Sequence, residues 1–114
     1  MTALPDHVQV GAIRYTLAVD QAAINATGEN RNTYGRSLHR EQRILLSEGL
    51  GSDQQSDTVL HEVLHACLSV TGLNLGLEDE KSEALVYGLT AILLDVLRRN
   101  PKLVAYLMGA QEEP

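Results

Sequence analysis

The stretch TVLHEVLHAC at residues 58–67 carries two histidines four positions apart, with a glutamate directly after the first. On an α-helix, positions i and i+4 lie on one face a turn apart, so His61 and His65 can reach the same ion. Neutral imidazole is a good zinc ligand, and a bound zinc lowers the pKa of its water to about 7. Glu62 lies to the side of this pair, where its carboxylate can take the proton from that water. The pattern predicts a zinc site with Glu62 as general base.

The setting of the motif favours a metal over a chance spacing of two histidines on an ordinary helix. The surrounding residues are apolar or small: Val59, Leu60, Val63, Leu64, Ala66 and Leu68. Burying three ionisable groups in such a helix is costly unless they have partners. A bound metal ion would be a partner for them. Cys67 projects from a different face than His65, and we interpret it as a small apolar filler.

The third zinc ligand is not a histidine downstream of the motif. The places where an extended HExxHxxGxxH pattern needs glycine and histidine hold Leu68 and Thr71, and no histidine follows His65. An acid on the next helix is therefore expected, and the candidates are Glu78, Asp79, Glu80, Glu83 and Asp95.

Helical spacing narrows this choice. One polar stripe with spacings of three, four and three comprises Glu80, Glu83, Tyr87 and Thr90. Acids in the first turn of a helix are common for capping and dipole reasons, which weakens the case for Glu80. We favour Glu83 as the third ligand, with Glu80 as the alternative.

Composition limits the classes of function. The 114 residues predict a single domain over residues 1–114. The net charge of −6, with no basic cluster beyond Arg98-Arg99, argues against nucleic-acid binding. The longest apolar run, around residues 89–94, is too short to span a bilayer. One cysteine and the absence of a signal-peptide pattern predict a cytoplasmic protein without a membrane partner. Its oligomeric state is left open.

The first half of the chain predicts a small sheet. Residues 8–19 alternate as a hairpin with a type II′ turn at Gly11-Ala12, which places Val10 opposite Ile13 and Val8 opposite Tyr15. Residues 25–35 indicate a loop, and residues 36–46 indicate one or two further short strands.

The second half predicts helices. A capping box of Ser52 and Gln55 begins a helix that runs to about Val70, with Gly72 just past its end. A second helix over residues 78–99 has a wide apolar arc and is expected to be largely buried. Asn100-Pro101 begins a short third helix. The expected fold is α+β: a small antiparallel sheet of three or four strands on two main helices that carry the zinc ligands, plus a short C-terminal helix.

These features carry a family resemblance. The segment TVLHEVLH, with EALVYGLTAIL beginning 18 positions after His65, resembles the gluzincins, which have HExxH on one helix and a glutamate on the next. The compact arrangement, closed by NPKLVAYLM, resembles the minimal core of the ImmA/IrrE-type peptidases and the small phage and prophage zinc metallopeptidases. The resemblance implies a zincin-like fold. It also implies that the protein acts in the cytoplasm of a bacterial or phage-infected host cell.

The resemblance also implies roles for single residues. It implies that His61, His65 and Glu83 bind zinc and that Glu62 is the general base. It implies further that the strand ending at Ile44–Leu46 borders the cleft, where an extended peptide could add as another strand.

The helper for the tetrahedral oxyanion is not fixed by the motif. Tyr87 and His39 are the candidates.

Two functions follow as expectations. The first is a zinc metallopeptidase that hydrolyses peptide bonds in a peptide or protein substrate. The alternative is a non-catalytic, zinc-stabilised interaction or regulatory module, in which the metal only ties two helices together. Glu62 discriminates between them, because a purely structural site has no use for an acid beside its first histidine.

Overall fold

The computed structural model describes residues 3–28 and 33–109, and within them the chain forms a four-stranded sheet and four α-helices. The strands are β1 (His7–Val10), β2 (Ile13–Val19), β3 (Gly35–Leu38) and β4 (Arg43–Leu46). The helices are α1 (Gln21–Ala26), α2 (Ser52–Thr71), α3 (Asp79–Arg99) and α4 (Pro101–Leu107), with a 3-10 helix at Leu73–Gly76. The expected α+β fold, with two long helices and a short last one, is confirmed.

The β1–β2 hairpin has the predicted register. Val10 pairs with Ile13 and Val8 with Tyr15, in an antiparallel arrangement. Gly11 has φ +59°, the left-handed conformation that the first position of a type II′ turn requires and that glycine adopts without strain. The hairpin therefore follows from local sequence.

The sheet has the order β1-β2-β4-β3 and is mixed rather than wholly antiparallel, because β2 and β4 run parallel. A parallel pair needs a crossover connection, and α1 lies in that connection. The helix α1 was not predicted from the sequence; the Asp20 side chain accepts a hydrogen bond from Ala23 N and so caps its start. Four residues of the predicted loop at residues 25–35, residues 29–32, lie outside the described residues.

The strand next to the cleft is β3 and not β4. The turn at residues 39–42 folds β3 and β4 into an antiparallel pair, so β4 becomes an internal strand and β3 the edge. Ile44, Leu45 and Leu46 are each 0% exposed, as expected of a strand covered on both faces. The prediction that the strand ending at Ile44–Leu46 borders the cleft is therefore wrong.

Helix α2 packs across one face of the sheet. Its Ala66 joins Val10, Tyr15, Leu17 and Ile44 in the central core. The helix ends as predicted at Gly72, whose φ of +78° suits glycine at a helix C-terminus. Its start differs from the prediction: Ser52 is already helical and the cap residue is Gly51, so the proposed capping box does not form.

Helix α3 packs mainly on α2 and is less buried than its sequence predicts. Its buried residues are Val86 and Thr90, whereas Leu85, Leu89 and Ile92 are each at least 39% exposed. The prediction of a largely buried helix is wrong for a physical reason. Because α3 has one main neighbour, α2, only one stripe of its surface is covered. Its apolar arc is wide enough to pack against two neighbours.

Asn100 occupies the predicted N-cap position of α4, but its side chain donates to Val96 O of α3 instead of capping α4. Among the described helices, none combines the length and apolarity that a transmembrane segment requires.

Candidate metal centre

Three side chains from α2 and α3 converge on one point. His61 and His65 lie one turn apart on α2, and Glu83 reaches them from the second turn of α3. One donor atom from each of the three lies within 4.8 Å of the others. The imidazole rings have centroids 4.8 Å apart, and the two side chains are only 12% and 16% exposed. The predicted histidine pair and the favoured acid are thus brought together.

The geometry within this group suits ligands of a common ion. His61 Nε2 lies 3.6 Å from Glu83 Oε2, close to the separation of about 3.4 Å expected of two ligands roughly 2.0–2.1 Å from one tetrahedral zinc. His65 Nε2 lies 2.8 Å from Glu83 Oε1. That nitrogen is nevertheless buried and makes no hydrogen bond within the described residues, so the close approach lacks hydrogen-bond directionality. A buried nitrogen of this kind is satisfied by a metal ion, and the residues present fit zinc.

The other acids proposed from the sequence do not join the group. Among the described residues, the convergent donors are those of His61, His65 and Glu83, and Glu80 is not one of them. Asp79 lines the adjoining cleft, whereas Asp95 pairs with Arg99 at the far end of α3. The alternative ligand Glu80 is therefore less well placed than Glu83.

Glu62 is buried beside the three donors but is not one of them. It is 7% exposed, and the Ser37 hydroxyl on β3 donates to its Oε1 at 2.7 Å. Burial raises the pKa of Glu62, against opposing effects of the Ser37 hydrogen bond and of nearby His65. A buried carboxyl with a raised pKa and a fixed orientation has the properties of a general base.

Close packing of β3 against α2 makes this contact between Ser37 and Glu62 achievable. A Cβ on Gly35 would lie 2.6 Å from Thr58 Cγ2 and 3.2 Å from Glu62 Cγ. Glycine at position 35 therefore lets the strand approach the helix closely enough for Ser37, two residues on, to reach the carboxylate.

His39, one of the two candidate oxyanion helpers, lines the cleft just after β3. Its Nδ1 lies 2.9 Å from the hydroxyl of Tyr15, a core residue that is 1% exposed. Burial raises the pKa of Tyr15, so the hydroxyl keeps its proton and can donate it to Nδ1. Burial, and then the nearby His65 and Arg36, lower the pKa of His39, which favours a neutral imidazole. In that arrangement Nε2 carries the remaining hydrogen.

Tyr87, the other candidate, also lines the cleft. Its ring lies edge-on to that of His61, with centroids 4.7 Å apart. The side chain is 65% exposed, so it is held mainly through this ring contact. Tyr87 can orient His61 and border the site from the α3 side.

The cleft that contains these groups has a volume of about 820 Å³. The edge strand β3 forms one wall, α2 the floor and the start of α3 the opposite wall, with Tyr34, Arg36, Ser82 and Leu77 among the lining residues. A cleft of this size accommodates a ligand of several residues and is open enough for an extended chain.

Sequence reasoning missed Ser37, Gly35 and Tyr15 as parts of the site. Ser37 lies between Arg36 and Leu38 on a short strand, and no sequence motif around it indicates a role in the site. Only the pairing of β3 beside α2, which joins residues 25 positions apart, reveals its role.

Comparison with known proteins gives no relative for this chain. No family model, no curated protein and no solved structure matches it.

Proposed function

We propose that the protein is a zinc-dependent peptidase in which His61, His65 and Glu83 hold the metal and Glu62 is the general base. The observation that carries the proposal is the position of Glu62. Its carboxyl is buried in the cleft wall next to three convergent metal donors, held by Ser37 and left out of the donor set. A carboxylate in this position serves proton transfer, which a purely structural metal site does not require.

A bound zinc would supply a Lewis acid that polarises the peptide carbonyl and makes a water molecule acidic enough to lose a proton near neutral pH. Ser37 holds Oε1 of Glu62, so Oε2 is the oxygen that accepts this proton. As the water oxygen bonds to the carbonyl carbon and the C–N bond breaks, Glu62 delivers the proton to the departing nitrogen, which restores the carboxylate and leaves a carboxylic acid and an amine as products. His39, with Nε2–H available, is the better of the two candidates for stabilising the oxyanion, because Tyr15 fixes its ring.

A peptide or protein substrate fits the wall of the cleft. The edge strand β3 pairs only with β4 among the described strands, so its outer backbone groups face the cleft. An extended peptide can pair with such an edge through main-chain hydrogen bonds, which tolerate many side chains. Its carbonyl would then pass beside Glu62 and the metal donors.

A second candidate function is a non-catalytic module in which zinc ties α3 to α2. The observation that favours it is the small contact of α3 with the rest of the chain, since α3 packs mainly on α2 and exposes much of its apolar surface. A metal between the two helices would stabilise this contact by several kcal/mol.

One experiment separates the two functions. The chain is purified without chelator, its zinc is measured by inductively coupled plasma mass spectrometry, and hydrolysis of unfolded casein is followed for the native chain and for Glu62→Gln. Peptidase function predicts about one zinc in both proteins and hydrolysis only by the native chain.

The other outcomes are equally informative. Zinc in both proteins with no hydrolysis by either favours the structural module. Hydrolysis by Glu62→Gln at the native rate removes Glu62 from the base role, and a chain without zinc overturns both functions.

A further inference from the structure

A row of aliphatic side chains runs along the exposed face of α3. Leu85, Leu89, Ile92 and Val96 follow one another at spacings of four, three and four residues. The first three are 43%, 39% and 54% exposed, and Val96 is half-buried. We call this row the α3 ridge. The sequence of α3 has the wide apolar arc of a buried helix, yet within the described residues the chain leaves much of that arc exposed.

The spacing of the ridge indicates what kind of surface would cover it. Alternating steps of four and three are those of the a and d positions of a coiled coil, which pack against another helix. At 100° per residue, Leu85 projects about 160° from Glu83, so the ridge faces away from the metal donors. A helix could pack there without closing the cleft.

Helix α4 carries further exposed apolar side chains. Leu103, Tyr106, Leu107 and the adjacent Met108 are between 40% and 78% exposed. A pair of single helices buries less than the roughly 800 Å² per partner of a standard interface. Helix α4 begins two residues after α3 ends, and its exposed apolar side chains add to the area available for an interface.

We infer that the α3 ridge is the interface of a homodimer, in which it packs antiparallel against the ridge of a second copy. A two-fold interface needs a surface that is complementary to itself, and a row of aliphatic residues with heptad spacing meets that need. With the two-fold axis between Leu89 and Ile92, Leu89 lies opposite Ile92 of the other copy and Leu85 lies opposite its Val96.

Charge favours the antiparallel direction. The same four-three spacing, continued past both ends of the ridge, reaches Glu78 at the N-terminal cap of α3 and Arg99 in its last turn. Arg99 also pairs with Asp95 of its own helix through Nε, and its side chain is 77% exposed, so its terminal nitrogens can meet a second carboxylate. An antiparallel pair brings Arg99 within a helical turn of Glu78 in the second copy. A parallel pair would instead place like charges together at both ends, which is unfavourable.

Sedimentation equilibrium of the full chain, over a hundredfold range of concentration, tests the inference. The expected mass is twice the 12.4 kDa of the chain. Leu89→Glu buries a charge in the ridge and should weaken the dimer by at least about a hundredfold. Leu75→Glu is the matched control, because Leu75 is 89% exposed on the 3-10 helix, away from the ridge, and that variant should remain dimeric.

Thermal unfolding of each variant, followed by circular dichroism, establishes that it is folded. A native chain that is monomeric over the whole concentration range overturns the inference. If that monomer binds lipid vesicles through the α3 ridge, the ridge is a membrane-binding surface and the inference is overturned as well. A dimer that survives Leu89→Glu also overturns it.

A charge exchange tests the direction of pairing. Glu78→Lys or Arg99→Glu alone should weaken the dimer severalfold at low salt, and the double variant should recover its affinity. In a parallel pair neither single variant weakens the dimer, because each only replaces one like-charge contact by another. The readout is the dimer dissociation constant, which does not depend on metal or on peptidase activity.

Discussion

The Ser37 hydroxyl donates a hydrogen bond to Glu62 Oε1 at 2.7 Å, joining the edge strand β3 to the residue between the two site histidines. The serine lies 25 residues before the glutamate, so this contact exists only because β3 packs against α2. It fixes one carboxylate oxygen and leaves the other for proton transfer. Ser37 is therefore a positioning residue for the proposed general base.

Replacing Ser37 should impair turnover more than binding. A hydrogen bond to a charged group contributes about 1.5–3 kcal/mol, so Ser37→Ala should lower kcat by roughly ten- to a hundredfold with little change in KM. Zinc content should stay the same, because Ser37 contacts none of the metal donors. Ser56→Ala is the control, since that hydroxyl donates to the carbonyl oxygen of Ser52 within an exposed turn of α2 and lies outside the site. An unchanged kcat for Ser37→Ala would show that Glu62 needs no such support.

The metal donors can be tested without an activity assay. Glu83→Gln keeps the size of the side chain but weakens its oxygen as a ligand, so zinc affinity should fall at least about tenfold. Glu80→Gln is the matched control three residues earlier on the same helix, and it should bind zinc like the native chain. The measurement is a competition titration with a chromophoric chelator. Loss of zinc in Glu80→Gln with retention in Glu83→Gln would reverse the assignment.

The close approach of β3 to α2 predicts a strong effect at Gly35. In Gly35→Ala the added Cβ would lie 2.6 Å from Thr58 Cγ2, so strand and helix must separate. Overpacking of this kind costs about 1–3 kcal/mol, which urea unfolding measures as a lower midpoint.

Gly76→Ala serves as the control for Gly35→Ala, because a Cβ at position 76 meets nothing within 4 Å. It should be close to neutral in stability. Equal stability of the two variants would mean that β3 has room to shift, and Ser37 would then be less firmly held.

Local patterns in the sequence account for much of the fold and for part of the site. The hairpin, the end of α2 at Gly72 and the placement of His61 and His65 on one helical face depend on neighbours in sequence, and these predictions are confirmed. Glu83 lies where the polar stripe of α3 places it, beside the histidines.

The remaining features depend on contacts between distant parts of the chain. The parallel pairing of β2 with β4 joins residues more than 20 positions apart, and it makes β4 an internal strand. No local pattern in the sequence specifies this pairing. The wide apolar arc of α3 specifies burial but not which neighbour provides it. Ser37 and Gly35 likewise acquire a role only once β3 meets α2.

The environment of His39 predicts a pH dependence of stability. Its pKa in the folded chain is lowered, chiefly by burial, so the unfolded chain binds the proton at a higher pH. The stabilisation is fully present above the ordinary histidine value of about 6.5 and is lost as pH falls through the lowered value. The raised pKa of Glu62 contributes a slope of the opposite sign, equally in the native chain and in His39→Gln. Urea unfolding of the metal-free chain between about pH 5 and 7 should therefore give a free energy of unfolding whose slope with pH is more positive in the native chain than in His39→Gln. His7→Gln, at an exposed position on β1, is the control and should keep the native slope. Equal slopes in the native chain and in His39→Gln would show that burial does not lower the pKa of His39 in the folded chain.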